Sequence, residues 1–217
     1  MSELLFNELP RPTFRWLRVN HTVSSLAGED TAVQSIAVEA NKNILSPLPV
    51  GTALLDGNYE GANKEAVHVL VEKAEGYAIN VPPKAKEVVG IRIDANARVA
   101  NRFQFIVGEG AELEVQFYVT GSGDALTNVS YLNEYDVKEA GKVVVKKVNL
   151  LPEHVQHIEH RYTKLEEKAD VEYINIEIGG SENILNYYHD LVGQESRMVH
   201  DIAYLGNEEQ KFDISMI

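Results

Sequence analysis

The sequence predicts an all-β fold with a small, partly helical cap at its N-terminal side, and three observations carry that expectation. From Val67 onward apolar residues alternate, as in Val67, Val69 and Val71 and again in Val89, Ile91 and Ile93, which is the period-2 signature of half-buried strands. A turn-like stretch closed by a small or polar residue recurs at Ala97, Ala111, Ala125, Ala140, His154, Ala169, Asn183, Ser196 and Glu209, at intervals of 13 to 15 residues. Finally, the 217 residues are 44% apolar and include no cysteine, so the chain is long enough to build a core and must hold it by packing alone.

Taken in order, residues 1–62 read as the cap and residues 63–217 as the core, with the boundary between Leu55 and Glu65. Pro10, Pro12, Pro47 and Pro49 punctuate the cap. Between them, Glu29 to Asn41 is predicted as one helix, with Val33, Ile36, Ala37 and Ala40 at i, i+3, i+4 and i+7. The core units read Gly108-Glu109-Gly110-Ala111 before Leu113, Val115 and Phe117, Glu166-Glu167-Lys168-Ala169 before Val171 and Tyr173, and Gly193-Gln194-Glu195-Ser196 before Met198, His200 and Ile202. Val143 and Val145 sit one place out of this register.

A steady period with turns at fixed phase is what a repeat architecture produces, because each unit buries its apolar face only against its neighbours. One unit holds a strand of about six residues plus a turn, so two units would make a coil of about 28 residues. In such a β-solenoid the units at Ala111, Ala140, Ala169 and Ser196 stack as one parallel sheet, and those at Ala97, Ala125, His154, Asn183 and Glu209 as the other. An antiparallel meander or sandwich has comparable strand spacing and stands as the alternative. Phe212, Ile214 and Met216 alternate up to the last residue without a polar cap, so the stack is expected to pair there with another chain, to fray, or to continue in a longer protein.

Composition narrows the function classes. With 20 basic against 33 acidic side chains and a formal charge of -13, the surface repels nucleic acid and anionic membrane on average. Met1 to Asn20 lacks the uninterrupted apolar stretch of a signal peptide, and nowhere do about 18 apolar residues run together, so a cytoplasmic protein is expected. The sequons Asn20-His21-Thr22 and Asn128-Val129-Ser130 then read as chance matches. Zero cysteines excludes a thiolate nucleophile, a CxxC redox pair and cysteine-ligated zinc or iron-sulfur clusters within this chain.

The run Leu9-Pro10-Arg11-Pro12-Thr13-Phe14-Arg15-Trp16-Leu17-Arg18-Val19-Asn20 resembles the start of the SufB/SufD family of iron-sulfur cluster assembly scaffolds, SufD-like members in particular. Val148-Asn149-Leu150-Leu151, Leu165-Glu166-Glu167-Lys168-Ala169-Asp170-Val171-Glu172-Tyr173 leading into Ile178-Gly179-Gly180, and Asp190-Leu191-Val192-Gly193 are similar to the same family, in the same order. The resemblance implies a right-handed parallel β-helix and a scaffold that docks with SufB and SufC homologues. It also implies that family members continue past the position of Ile217 into further coils and a helical segment, where the cysteine of SufB and the histidine of SufD lie, so none of those residues carries over.

Candidate chemistry is sparse. His154, His157 and His160, beside Glu153 and Glu159, are the weak candidates for a metal site. A strand would send His157 to the face opposite His154 and His160, so no metal site is expected, and partly exposed histidines with ordinary pKa values are the simpler reading. His189-Asp190 and His200-Asp201 are not dyads, because adjacent strand residues face opposite ways. There is no GxxxxGK[ST] and no GxSxG elbow. Glu112, Glu114, Glu166, Glu167, Glu208 and Glu209 read as a solvated face.

The expected function is therefore a non-catalytic scaffold subunit of the SUF machinery. It binds no cofactor by itself, the assembled complex handles the iron-sulfur cluster, and a homodimer through the open end of the solenoid is a further expectation. A carbohydrate-active β-helix enzyme, or a plain structural or interaction solenoid, are the alternatives.

Overall fold

The computed structural model describes residues 3–7, 22–25, 36–54, 64–125, 128–207 and 209–217. Strands β1 (Glu3–Phe6) and β2 (Thr22–Ser25) pair antiparallel. Two short strands, β3 (Ile36–Glu39) and β4 (Leu45–Leu48), precede a helix, α1 (Lys64–Lys73). Strands then follow one another: β5 (Gly76–Val81), β6 (Lys86–Ala95), β7 (Val99–Val107), β8 (Glu112–Gly121), β9 (Asn128–Val137) and β10 (Lys142–Asn149). The last are β11 (Gln156–Leu165), β12 (Asp170–Glu177), β13 (Glu182–Leu191), β14 (Arg197–Tyr204) and β15 (Lys211–Met216).

These strands form two stacked sheets, ordered β14-β12-β10-β8-β6-β3 and β15-β13-β11-β9-β7-β5-β4. Alternate strands go to alternate sheets and pair parallel, Lys142 opposite Asp170 and Gln156 opposite Glu182, so the fold is a β-solenoid with two strands per coil. The units at Ala111, Ala140, Ala169 and Ser196 do stack as one sheet and those at Ala97, Ala125, His154, Asn183 and Glu209 as the other. At the N-terminal side β3 and β4 run antiparallel to β6 and β5 and cover their outer edges.

Two local readings of the sequence are corrected. Ile36–Glu39 is a strand rather than part of a helix, with Ile36 and Val38 turned toward the core and Ala37 and Glu39 exposed; residues 29–35 of the expected helix lie outside the described residues. Pairing with β6 satisfies its backbone, and its β-branched residues fit that period-2 face. Conversely, Val67, Val69 and Val71 belong to α1. It buries Ala66, Val67, Leu70 and Val71, and Val67, Leu70, Val71 and Ala74, the last just past its end, stand at i, i+3, i+4 and i+7, with Glu65 in the first turn and Lys73 in the last, as the helix dipole favours.

The corner preceding each of the five parallel strands of the six-stranded sheet, β6, β8, β10, β12 and β14, repeats in backbone conformation. Lys84, Gly110, Ala140, Lys168 and Glu195 all have positive φ, between 55° and 64°. Each corner donates a backbone hydrogen bond to the next, Lys84 to Glu109, Gly110 to Glu139, Ala140 to Glu167 and Lys168 to Gln194. The left-handed residue is thus one rung of a ladder, and the ladder offsets the steric cost at Lys84, Ala140 and Lys168. It also removes the apparent slip at Val143 and Val145: Lys142 pairs with Glu112, so Gly141, not Ala140, occupies the position of Ala111.

Inside the first coils the core is apolar. Val89, Ile91, Phe103, Phe105, Leu113, Val115 and Phe117 are buried there, and Phe105 stacks on Tyr135 with centroids 4.5 Å apart. The outer face of the seven-stranded sheet carries a second layer, where Val67, Leu70 and Val71 of α1 pack on Leu132 and Tyr162. Arg102 donates to the carbonyls of Val71 and Thr52, tying the segment after β4 and the end of α1 to that face.

Candidate functional site: an ionic layer inside the solenoid

Farther along the stack the inward positions change chemistry. Register aligns Phe117 with Lys147 and Asn175, and Val119 with Asn149 and Glu177. On the other sheet Tyr131 aligns with Glu159, and Asn133 with Arg161 and Tyr187. Period-2 alternation therefore continues while the apolar side chains give way to charged ones. Lys147, Glu159, Arg161 and Glu177 are all buried in the interior.

Glu159 is the hub. Its Oε2 lies 2.5 Å from Lys147 Nζ and accepts from Tyr187 Oη at 3.2 Å, while its Oε1 accepts from Arg161 Nη2 at 2.6 Å and Asn133 Nδ2 at 2.9 Å. Burial alone would raise its pKa, but the Arg161 and Lys147 cations hold it well below the usual carboxylate range. Lys147 Nζ also contacts Glu177 Oε1 at 2.6 Å. Glu177 responds in the opposite direction: burial, only partly opposed by Lys147, pushes its pKa up. Two carboxylates sharing one ammonium are thus driven apart, one firmly ionised and the other inclined to hold a proton.

The imidazoles around this layer are neutral. His157 meets Tyr131 Oη through Nε2 and Asn149 and Asn183 through Nδ1, each at 3.1 Å. Burial, helped by Lys147, lowers its pKa to about 3. Arg161 lies between the rings of Tyr173 and Tyr187, 4.3 and 4.4 Å from their centroids, and its Nη1 reaches His200 Nε2 at 3.5 Å. His189 and His200 meet with centroids 5.7 Å apart, and burial followed by Arg161 lowers both to about 3. The arrangement fixes two cations, two carboxylates and the neutral His157 in the buried interior, with the half-buried, neutral His189 and His200 beside Arg161.

The structure separates the three histidines singled out from the sequence. His154 is exposed in a turn, His157 belongs to the interior network, and His160 is buried on the outer face of β11, 6.5 Å from the Phe6 ring. The expectation of ordinary pKa values is corrected for two of them, since burial lowers His160 to about 4 as well as His157 to about 3. Among the described residues no group of three or more His, Asp or Glu side chains is arranged to hold a metal ion. Sequence reasoning named Glu159 only as a neighbour of the histidines and missed Lys147, Arg161 and Glu177. Their signal was available: a charged residue at a phase that is apolar in the preceding coil.

A family model described as SUF system FeS cluster assembly, SufBD core domain, matches residues 91–217, more than half of the chain. The chain belongs to the SufB/SufD family. No curated protein and no solved structure matches it. The SufBD core match spans the stretch from within β6 to the end of β15 and so contains the whole ionic layer.

The segments resembling the SufB/SufD family now acquire structural reasons. Gly179 has no room for a side chain, because a Cβ there would stand 2.1 Å from Leu151 N, and at Gly193 it would stand 2.0 Å from Glu167 N. Both glycines let one coil corner pack on the next. Asn149 of the first segment is a buried hub, donating to Asn183 Oδ1 at 3.1 Å and the Gly179 carbonyl at 3.3 Å while its own Oδ1 accepts from Leu151 N at 3.1 Å. Leu9–Asn20 lies outside the described residues. Asn128, of the sequon Asn128-Val129-Ser130, is buried and hydrogen-bonded to Gln156 at 2.7 Å, which removes it as a surface acceptor. No helix among the described residues is long and apolar enough to cross a membrane.

Proposed function

We propose that this chain is a SufD-like, non-catalytic scaffold subunit of iron-sulfur cluster assembly, working in the cytoplasm with SufB and SufC homologues. The observation that carries this reading is the SufBD core match over the solenoid, joined to the segments that resemble SufD-like members. Membership of the family supports a role in SUF cluster assembly. No residue of this chain can hold a cluster through a thiolate, so on this reading any cysteine ligands come from a partner. On this reading the chain binds no cofactor alone, the cluster is handled by the assembled complex, and the edge strands β14 and β15 supply a surface for a β-helix partner or a second copy.

Co-expression with SufB and SufC homologues of the same cell tests it. A ternary complex that builds a cluster, with iron and sulfide lost when the SufB cysteines are removed, is expected. Recovery of this chain without either partner, or cluster binding by this chain alone, would overturn the assignment.

A further inference from the structure

We propose that Leu5–Asn7 is a latch, an internal ligand seated reversibly on the outer face of the seven-stranded sheet across β11, β13 and β15. Phe6 is fully buried and packs against Ala66 of α1, Ile158 of β11 and Ile184 of β13. Its ring lies nearly parallel to that of His160, at an interplanar angle of 12°. Asn7 then spans the two following strands. Its Nδ2 donates to Asp213 Oδ1 at 2.8 Å, to the Asp213 carbonyl at 3.1 Å and to the Leu185 carbonyl at 3.4 Å, and its Oδ1 accepts from Asn186 Nδ2 at 3.3 Å. Two consecutive residues thereby join a helix and three strands, across up to 206 positions of sequence.

The seat is specific. An apolar slot accepts the aromatic ring, and beside it Asp213, Asn186 and a carbonyl present acceptors and a donor that match one carboxamide. Leu5, one residue earlier, is 50% exposed, so among Leu5, Phe6 and Asn7 the grip comes from the aromatic–amide pair. Asn7 holds φ at 51°, a left-handed conformation that Asn tolerates better than most residues and that turns its amide onto the sheet.

The same seat carries an opposing cost, which is why we infer a latch and not a permanent brace. His160 lies beneath Phe6, is fully buried, and neither of its imidazole nitrogens has a hydrogen-bond partner among the described residues. A buried polar group without a partner favours whatever motion returns it to water. Burial that lowers its pKa to about 4 expresses the same desolvation. Lifting Leu5–Asn7 would relieve His160 and uncover a groove suited to an extended segment bearing an aromatic residue followed by an amide. In the closed state the chain's own Phe6 and Asn7 fill it.

The absence of native cysteine makes a thiol probe clean. Ile184→Cys, under Phe6, reports opening of the latch by its rate of reaction with a disulfide reagent, and Val115→Cys, in the apolar interior, reports general unfolding. Asn7→Gly removes the amide while suiting the positive φ. It is expected to speed labelling at position 184 by about tenfold, the loss of a buried hydrogen-bonding side chain, without moving position 115. His160→Leu is expected to slow labelling at 184 below that of the parent. Hydrogen exchange at β13 and β15 in the otherwise unaltered chain, with and without Asn7→Gly, gives the same discrimination. Equal acceleration at both thiols, no change at 184, or faster opening with His160→Leu would overturn the latch.

Discussion

Replacing Lys147 by Met should be among the more damaging single changes in the chain, and its size follows from the geometry. The ammonium is fully buried and stands 2.5 Å from Glu159 and 2.6 Å from Glu177. Methionine fills most of the volume, so the cavity contribution is small. What is lost is half of the charge compensation for a carboxylate pair buried from solvent, and breaking a buried ion pair by removing one partner costs about 3–5 kcal/mol. Glu159 keeps Arg161, Asn133 and Tyr187, whereas Glu177, whose pKa is already raised by burial, escapes by taking a proton. The cost should therefore fall near the low end, about 3 kcal/mol, or roughly 6–12 °C in Tm for a chain of this length. Glu177→Gln alone should cost less, and Lys147→Met with Glu177→Gln should be less damaging than the sum of the two, since the second change removes the orphaned charge. Urea unfolding followed by far-ultraviolet circular dichroism measures all three, with a second probe to test cooperativity because stacked coils need not unfold as one unit. A Lys147→Met variant within about 1 kcal/mol of the parent, or strict additivity with Glu177→Gln, would refute the assignment of a coupled ionic layer.

Stability should fall as the pH is lowered through 6.5. His157 and His160 have folded-state pKa values of about 3 and 4, below the 6.5 of the unfolded chain, so their contribution is complete above 6.5 and is lost as pH falls toward those folded values. At pH 5.5 each costs about 1.4 kcal/mol, with His189 and His200 adding in the same direction and Glu177 opposing once it protonates; a urea midpoint unchanged between pH 7.5 and 5.5 would contradict this. Gly179→Ala should destabilise the fold by at least about 3 kcal/mol, because the added Cβ would lie 2.1 Å from Leu151 N and backbone cannot yield as a side chain can; thermal unfolding reads the effect. Ala140→Gly should stabilise by about 0.5–1 kcal/mol, since φ at 140 is 55° and glycine removes the Cβ clash of the left-handed corner. A lower Tm for that variant would show that the ladder, rather than the Cβ, sets the energy of the corner.

The architecture was legible because a solenoid writes its period into the chain. Turn residues at intervals of 13 to 15 pointed to a coil of about 28 residues with alternate units in alternate sheets but left an antiparallel meander open, and the parallel pairing of Lys142 with Asp170 and Gln156 with Glu182 decides for the solenoid. The errors arose where one apolar pattern fits two periods. Val67, Val69 and Val71 satisfy alternation, but Leu70 and Ala74 complete a helical stripe that only tertiary packing on Leu132 and Tyr162 selects. Ile36, Ala37 and Ala40 satisfy a helix equally well, and the free edge of β6 decides for a strand.

The ionic layer was less legible for a different reason. Strand phase says that Lys147, Glu159, Arg161 and Glu177 point inward only after the register of every preceding coil is known, and the one-residue uncertainty at Ala140 and Gly141 was enough to blur it for the strand carrying Lys147. Once Gly141 is placed opposite Ala111, Val143, Val145, Lys147 and Asn149 all fall on the inward phase, and a charged residue there demands a partner across the stack. The partners stand 12 residues away at Glu159 and 30 at Glu177, separations set by one strand plus a turn and by one whole coil. The same coil repeat brings Gly179 against Leu151 and Gly193 against Glu167, so the segments that resemble the family record close coil packing, while the charged groups with chemical capacity occupy the inward positions between those corners. In a solenoid, then, family resemblance marks where coils must touch, and departures from apolar inward phase mark where function is to be sought.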